Sequence, residues 1–150
     1  MSRLAFLSPH EAGVEPVSPL RTSNGAFTDL SHLGKLEVRA DVDGIAIAPG
    51  RTLVVVDGDV RAERDRLLAE GHRVYDMTGA LAALEVEGDD LMRRLTELDL
   101  DALPAIGSVA RGTTAVIERL GPATFRLHVP AELAEYVADV IDDQAEGLAR

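Results

Sequence analysis

The chain has 150 residues, of which 46% are apolar, and no cysteine, so it is long enough to bury a core and has neither disulfides nor thiolate metal sites. Its 26 acidic and 15 basic residues give a net charge of −11, which would repel the phosphate backbone of a nucleic acid. No apolar run approaches the roughly 20 residues that cross a bilayer, and the start of the chain is too short for a signal peptide, so we expect a cytoplasmic protein that does not contact a membrane.

The N-terminal part of the chain predicts an irregular arm followed by short strands. Prolines and glycines interrupt residues 1–26, and both residue types disfavour regular structure. Apolar and polar residues alternate over residues 33–40, which predicts a strand whose polar side chains, including Lys35 and Glu37, face solvent. A turn, a short strand and a second turn are predicted next, at residues 41–44, 45–48 and 49–50.

A buried strand and a helix are predicted after these turns. The apolar run at residues 53–56 is typical of a strand that is covered on both faces. Asp57 and Asp59 have the chemistry of a turn and a helix cap, and Gly71 ends the helix predicted over residues 60–70. Three apolar residues of this helix are expected to point inward: Val60, Leu67 and Leu68.

The next segment combines a strand with a helix. Residues 81–86 alternate with the period of two of a strand, and Gly88 ends it. Asp89 is predicted to cap the helix that follows, and Asp90 adds negative charge near its N-terminus, so we interpret this carboxylate pair as a cap rather than as an acid/base pair. The apolar face of the helix consists of Leu91, Met92, Leu95 and Leu98.

The C-terminal part predicts a connector, a hairpin and a long helix. The connector covers residues 99–107, and strands at residues 113–120 and 124–129 form the hairpin around a Gly-Pro turn. Pro130 opens a helix over residues 131–147. Its expected apolar stripe is Leu133, Tyr136, Val137, Val140 and Ile141. Its expected solvated face, which could also meet a basic partner, is Asp139, Asp142, Asp143 and Glu146.

The order of these elements predicts the fold class. From residue 51 the chain reads strand, helix, strand, helix, strand, strand, helix, which favours an α+β fold with the helices on one face of a mixed or antiparallel sheet. We expect a single domain over residues 27–150, preceded by the arm at residues 1–26.

Few side chains suggest catalysis or ligand binding. Adjacent residues of an extended chain point to opposite faces, so Ser31 and His32 are not expected to form a nucleophile and base, and Asp29 or Ser31 is expected to cap a turn instead. His128 is interpreted as an exposed or hydrogen-bonded sheet residue rather than as a ligand. The four histidines lack the spacing of zinc ligands, and the glycines do not form a phosphate-binding loop. No catalytic or metal-binding residue is predicted, and cofactor-binding residues stay unassigned.

Four segments also carry motifs in a characteristic order: residues 27–39 (FTDLSHLGKLEVR), 52–64 (TLVVVDGDVRAER), 74–95 (VYDMTGALAALEVEGDDLMRRL) and 124–132 (TFRLHVPAE). Together they resemble the folate-dependent aminomethyltransferase superfamily, which includes the T-protein of the glycine cleavage system, YgfZ-type folate-binding proteins and the gamma subunit of heterotetrameric sarcosine oxidase. The gamma subunit is the most similar member. The resemblance implies the ferredoxin-like half of the aminomethyltransferase folate-binding fold.

Two positions depart from the chemistry that this resemblance implies. The family has a carboxylate between the strands that match Leu36 and Leu53, whereas only residues 41–51 link those strands here. A glutamate that grips the pterin in a family hairpin is replaced by Pro122. These two departures argue against catalysis by this chain alone.

The expected function is that of a non-catalytic subunit in a flavin-dependent, folate-linked amine oxidase or demethylase complex, an oxidoreductase acting on CH–NH bonds. Larger flavoprotein subunits would be the partners and would hold the flavin. We expect this chain alone to bind no cofactor. If it binds one, the resemblance implies tetrahydrofolate. Two alternatives stay open: a stand-alone folate or small-molecule binding protein, and a homo-oligomeric scaffold without catalysis.

Overall fold

The computed structural model describes residues 18–20 and 25–150, so most of the predicted N-terminal arm lies outside the described residues. In chain order the described elements are β1 (Thr28–Asp29), β2 (Gly34–Val38), β3 (Ile45–Ala48), β4 (Arg51–Val56), α1 (Val60–Ala69), β5 (Val74–Asp76), β6 (Leu81–Glu87), α2 (Asp89–Leu95), β7 (Ala105–Val109), β8 (Thr113–Arg119), β9 (Thr124–Pro130) and α3 (Ala134–Ala149), with short 3-10 turns at Leu100–Ala102 and Ala131–Leu133.

The described chain divides into two compact units within the range expected to be a single domain. The first unit contains residues 32–81, and the second contains residues 18–20, 25–31 and 82–150. The α+β class is confirmed, and the strands lie in two sheets where the order of elements had suggested one. Alternation places a residue on a strand face, but it does not identify the neighbouring strand, so it could not predict this partition.

The first unit is a four-stranded antiparallel sheet in the order β3-β4-β2-β5, with α1 against one face. The Asp59 carboxylate caps α1 by accepting a hydrogen bond of 2.9 Å from the Ala62 amide, and Gly71 follows the helix with a left-handed φ of 88°. Both predictions are confirmed. Val60 and Leu67 are buried, but Leu68 is 42% exposed, because successive helix residues point about 100° apart and only one of the two leucines can face the sheet.

Gly34 allows β2 to approach α1 closely. A Cβ at this position would overlap Val60 Cγ2 and lie 3.2 Å from Val56 Cβ. We expect Gly34→Ala to lower the free energy of unfolding by about 2 kcal/mol, because a packed core accepts an added methyl group only by moving its neighbours. Urea unfolding measures the change. Combining Gly34→Ala with Val60→Ala should cost less than the sum of the two single substitutions, and strict additivity would contradict the contact.

The polar side of β2 differs most from expectation. Lys35 is fully buried and Glu37 is 7% exposed, so the predicted solvated face is wrong. Lys35 Nζ donates a hydrogen bond of 2.8 Å to the Leu33 carbonyl, and Arg51 Nε donates one of 2.8 Å to Glu37 Oε1. These bonds satisfy polar atoms on the sheet face opposite α1.

The second unit is a five-stranded sheet in the order β1-β6-β9-β8-β7. The helices α2 and α3 pack against each other and cover one face of this sheet. Its core is aliphatic except for two phenylalanines and a methionine, and its largest fully buried apolar side chains are Leu84, Met92, Ile117, Phe125, Leu127 and Ile141. Alternating residues of β6, β8 and β9 supply this buried face, and this alternation was predicted for β6.

Three boundaries in the second unit correct the sequence analysis. The predicted connector at residues 99–107 overlaps the start of the edge strand β7, whose small residues carry little alternation. Because α2 ends at Leu95, Leu98 is not part of its apolar face. Residues 131–133 form a 3-10 turn before α3, which leaves Leu133 39% exposed and Tyr136 44% exposed although both were assigned to the apolar stripe.

Candidate functional site

The link that would hold the carboxylate of the aminomethyltransferase family is a compact hairpin. Its strand β3 pairs directly with β4. Asp41 is exposed and accepts a hydrogen bond of 3.1 Å from the Gly50 amide, so it serves the turn. Asp43, the other carboxylate of the link, is also exposed. Neither carboxylate is held in a buried position from which it could act on a ligand.

The turn that carries Pro122 is occupied by an arginine. Arg119 donates hydrogen bonds to the carbonyls of Gly121, at 3.2 Å, and of Pro122. It also contacts Asp89 at 3.3 Å and Asp101 at 3.2 Å. Asp89 is therefore the ion-pair partner of Arg119 and not the cap of α2, because the cap position belongs to Gly88, which has no side chain to accept a bond. This network fills the turn with polar contacts, and Pro122 itself has no carboxylate.

Ser31 and His32 do not come together. Ser31 is buried, and its hydroxyl accepts a hydrogen bond of 3.2 Å from the Ala83 amide, whereas His32 is exposed. Asp29 accepts a hydrogen bond of 2.9 Å from the Ser31 amide, as expected of a turn cap. The arrangement has the geometry of a turn and not of a nucleophile with its base.

An ionic cluster lies on the face of the second sheet opposite the helices. Glu118 Oε2 is 2.7 Å from Arg126 Nε and 2.8 Å from His128 Nε2, and His128 is fully buried. His128 is thus a hydrogen-bonded sheet residue, one of the two expected alternatives, and it is not exposed. Burial raises the pKa of Glu118, but the hydrogen bonds from His128 and Arg126 outweigh burial and bring the pKa to about 2. A carboxylate with so low a pKa is poorly suited to acid/base catalysis near neutral pH.

A cavity of about 610 Å³ opens beside the C-terminus of α2. Three arginines contribute to its lining: Arg93 and Arg94 from the last turn of α2, and Arg111 from the turn between β7 and β8. Its remaining lining residues are Leu95, Thr96, Glu97, Leu98 and Ser108. We refer to this site as the arginine cavity. Guanidinium groups, a hydroxyl and apolar walls are suited to holding an anion.

Hydrogen bonds fix the turn that positions Arg111. The Ala110 amide donates a bond of 2.9 Å to the Leu95 carbonyl at the end of α2. Thr96 Oγ1 donates one of 2.8 Å to the Ser108 carbonyl on β7. These bonds join the β7–β8 turn to α2 within the second unit. This site was not predicted from the sequence, although two adjacent arginines at the end of a short helix in an acidic chain were a usable signal.

Other features of the described residues suggest no further site. Histidine and acidic side chains do not form a group of three that could hold a metal ion within residues 18–20 and 25–150. Over the same ranges, none of the helices has the length and apolar character needed to span a bilayer. The arginine cavity is therefore the main candidate for ligand binding in the described chain.

Comparison with known proteins supports the fold. No family model and no curated protein matches the chain. A solved structure, heterotetrameric sarcosine oxidase from Corynebacterium sp. U-96 in complex with pyrrole 2-carboxylate, contains a chain that matches 100% of this chain and 96% of its own length. The two are 17% identical, with a TM-score of 0.72. The chain therefore has the α+β fold of a chain of heterotetrameric sarcosine oxidase, while membership of the aminomethyltransferase superfamily stays a prediction.

Proposed function

We propose that this protein is a non-catalytic subunit of a flavin-dependent, folate-linked amine oxidase complex, equivalent to the gamma subunit of heterotetrameric sarcosine oxidase. The observation that carries this proposal is the match in fold over the full length of the chain and over 96% of the neighbour's chain. The neighbour's chain is thus matched almost in full. Larger partner chains would hold the flavin.

The local chemistry favours a structural role. Exposed turn carboxylates occupy residues 41–51, and the Arg119 network occupies the turn at Pro122. The described chain thus has no buried carboxylate at the first of the two positions where the resemblance implies chemistry, and no carboxylate at the second. Two neighbouring apolar side chains at the start of α3, Leu133 and Tyr136, are exposed and could be covered by a partner subunit.

Affinity purification from the native host tests this proposal. A tagged copy of the chain should co-elute with larger subunits whose absorption spectrum shows a bound flavin. Replacing Leu133 and Tyr136 with serine should weaken this association if that surface is covered, whereas Leu68→Ser, which changes an exposed leucine of the first unit, serves as the matched control. Elution of the wild-type chain alone, or only as a homo-oligomer, would contradict the proposal.

A second candidate is a stand-alone small-molecule binding protein, for which the arginine cavity is the specific support. Tetrahydrofolate is the ligand that the resemblance implies. Titration of the purified chain with 5-formyltetrahydrofolate separates the two functions. Saturable micromolar binding by a chain that has no partner favours the binding protein, and a partner complex without such binding favours the subunit.

A further inference from the structure

Four arginines of the described chain have side chains that form neither an ion pair nor a hydrogen bond with another described residue: Arg73, Arg93, Arg94 and Arg111. All except Arg73 line the arginine cavity. Six other described arginines pair with carboxylates, as Arg66 does with Glu63 and Glu70. Three unneutralised cations around one cavity in a chain of net charge −11 are not explained by composition.

Arg111 is held in a backbone conformation that arginine rarely adopts. Its φ is 63°, and that of Ala110 is 46°. Asparagine and glycine are preferred at two such consecutive turn positions, because a Cβ is strained in the left-handed region. The hydrogen bond from the Ala110 amide to the Leu95 carbonyl fixes this strained turn against α2. Strain retained at the edge of a cavity is typical of a functional position.

The end of α2 accounts for only part of the positive charge. A helix macrodipole supplies about half an elementary negative charge at its C-terminus. Two of the terminal carbonyls, those of Met92 and Leu95, already accept bonds from the amides of Thr96 and Ala110. Glu97 is the one carboxylate among the lining residues. Three lining arginines against one lining carboxylate therefore leave an excess of positive charge for a ligand.

We propose that the arginine cavity binds a small multivalent anion, either an organic di- or tricarboxylate or a phosphate compound. Guanidinium groups bind both oxyanions with paired hydrogen bonds, and three of them suit more than one negative charge. Leu95 and Leu98 provide an apolar wall for a short carbon skeleton, and Ser108 is exposed and can donate a hydrogen bond. The volume of about 610 Å³ lies within the range of small-molecule sites, roughly 300–1,000 Å³.

Isothermal titration of the purified chain with citrate and with pyrophosphate, at constant ionic strength, tests this site. At least one probe should bind saturably with a 1:1 stoichiometry, and the more tightly bound probe identifies the preferred oxyanion. Arg111→Gln should weaken binding at least tenfold, and Arg93→Gln combined with Arg111→Gln should abolish it. Arg73→Gln removes an equally unpaired arginine outside the cavity and should leave affinity unchanged.

Arg111→Gly separates ligand binding from a structural role. Glycine adopts the left-handed conformation without strain, so this variant should melt at a higher temperature than the wild type while its affinity for the probe falls at least tenfold. Absence of saturable binding to both probes would overturn the proposal, as would equal losses in Arg73→Gln and Arg111→Gln. The proposal would also be overturned if the wild type bound neither probe and the double variant no longer bound a partner chain. In that case the cavity would bind acidic side chains of the partner.

Discussion

Glu118→Gln should lower the free energy of unfolding by about 3 kcal/mol at pH 7, because breaking a buried charge pair leaves its partners without a counter-ion. The Glu118 side chain is only 14% exposed, and its carboxylate is shared by Arg126 and His128. Glutamine keeps the shape but removes the charge. Urea unfolding at pH 7 of the wild type and the variant measures the difference.

The free energy of unfolding of this variant should also depend less on pH than that of the wild type. The folded-state pKa of Glu118 is about 2, below its ordinary value of 4.5, so the carboxylate stabilises the fold fully above about pH 4.5 and progressively less as the pH falls towards 2. This contribution is about 2 kcal/mol once screening by solvent is allowed for. The difference between wild type and Glu118→Gln should therefore shrink between pH 5 and pH 2.5.

Glu63→Gln is the matched control for this experiment. Glu63 also pairs with an arginine, Arg66, but the pair lies on the exposed surface of α1. Such pairs contribute little to stability, so the control should unfold nearly as the wild type does at each pH. Equal behaviour of the two glutamine variants would show that the Glu118 cluster is solvated and that its low pKa is not linked to folding.

Local chemistry predicted much of the fold. Asp59 and Gly71 fixed the two ends of α1, because a capping carboxylate and a left-handed glycine act within a few residues of their own position. The hairpin of β8 and β9 was predicted from two strand segments around a Gly-Pro turn. What was missed depends on distant residues. Tyr136 has the spacing of a buried helix residue, yet its exposure depends on what packs over the first turn of α3.

The arginine cavity could be predicted only in part, for a related reason. Arg93 and Arg111 are separated by a helix end, a 3-10 turn and β7, and the bonds from Ala110 to Leu95 and from Thr96 to Ser108 bring their elements together. Ala110 and Arg111 are themselves no signal for a left-handed turn, since asparagine and glycine are the usual signals and only the next residue, Gly112, is one of them. Motif reasoning instead directed attention to Pro122, where the structure places the Arg119 network.

Lys35→Ala should lower the free energy of unfolding by about 3 kcal/mol, an effect comparable to truncating a long buried apolar side chain. Lys35 is fully buried in the middle of the first unit's sheet, between β4 and β5, so its four methylene groups fill space that alanine would leave empty. The change also removes the hydrogen bond to the Leu33 carbonyl. Urea unfolding at pH 7 gives the value.

Lys35→Met divides this effect into packing and hydrogen bonding. Methionine retains most of the side-chain volume but cannot donate to the Leu33 carbonyl, so Lys35→Met should lower the free energy of unfolding by about 1.5–2 kcal/mol, the lower part of the usual range for a hydrogen bond to a charged group. Arg73→Ala, which removes an exposed cation beside β5, should change stability by less than about 0.5 kcal/mol. If Lys35→Ala were as mild as Arg73→Ala, Lys35 would be solvated and the alternation of β2 would have predicted its environment correctly. If Lys35→Met lowered the free energy of unfolding as much as Lys35→Ala, the hydrogen bond of the Lys35 amine would account for the stabilisation, and the packing of its methylene groups would not.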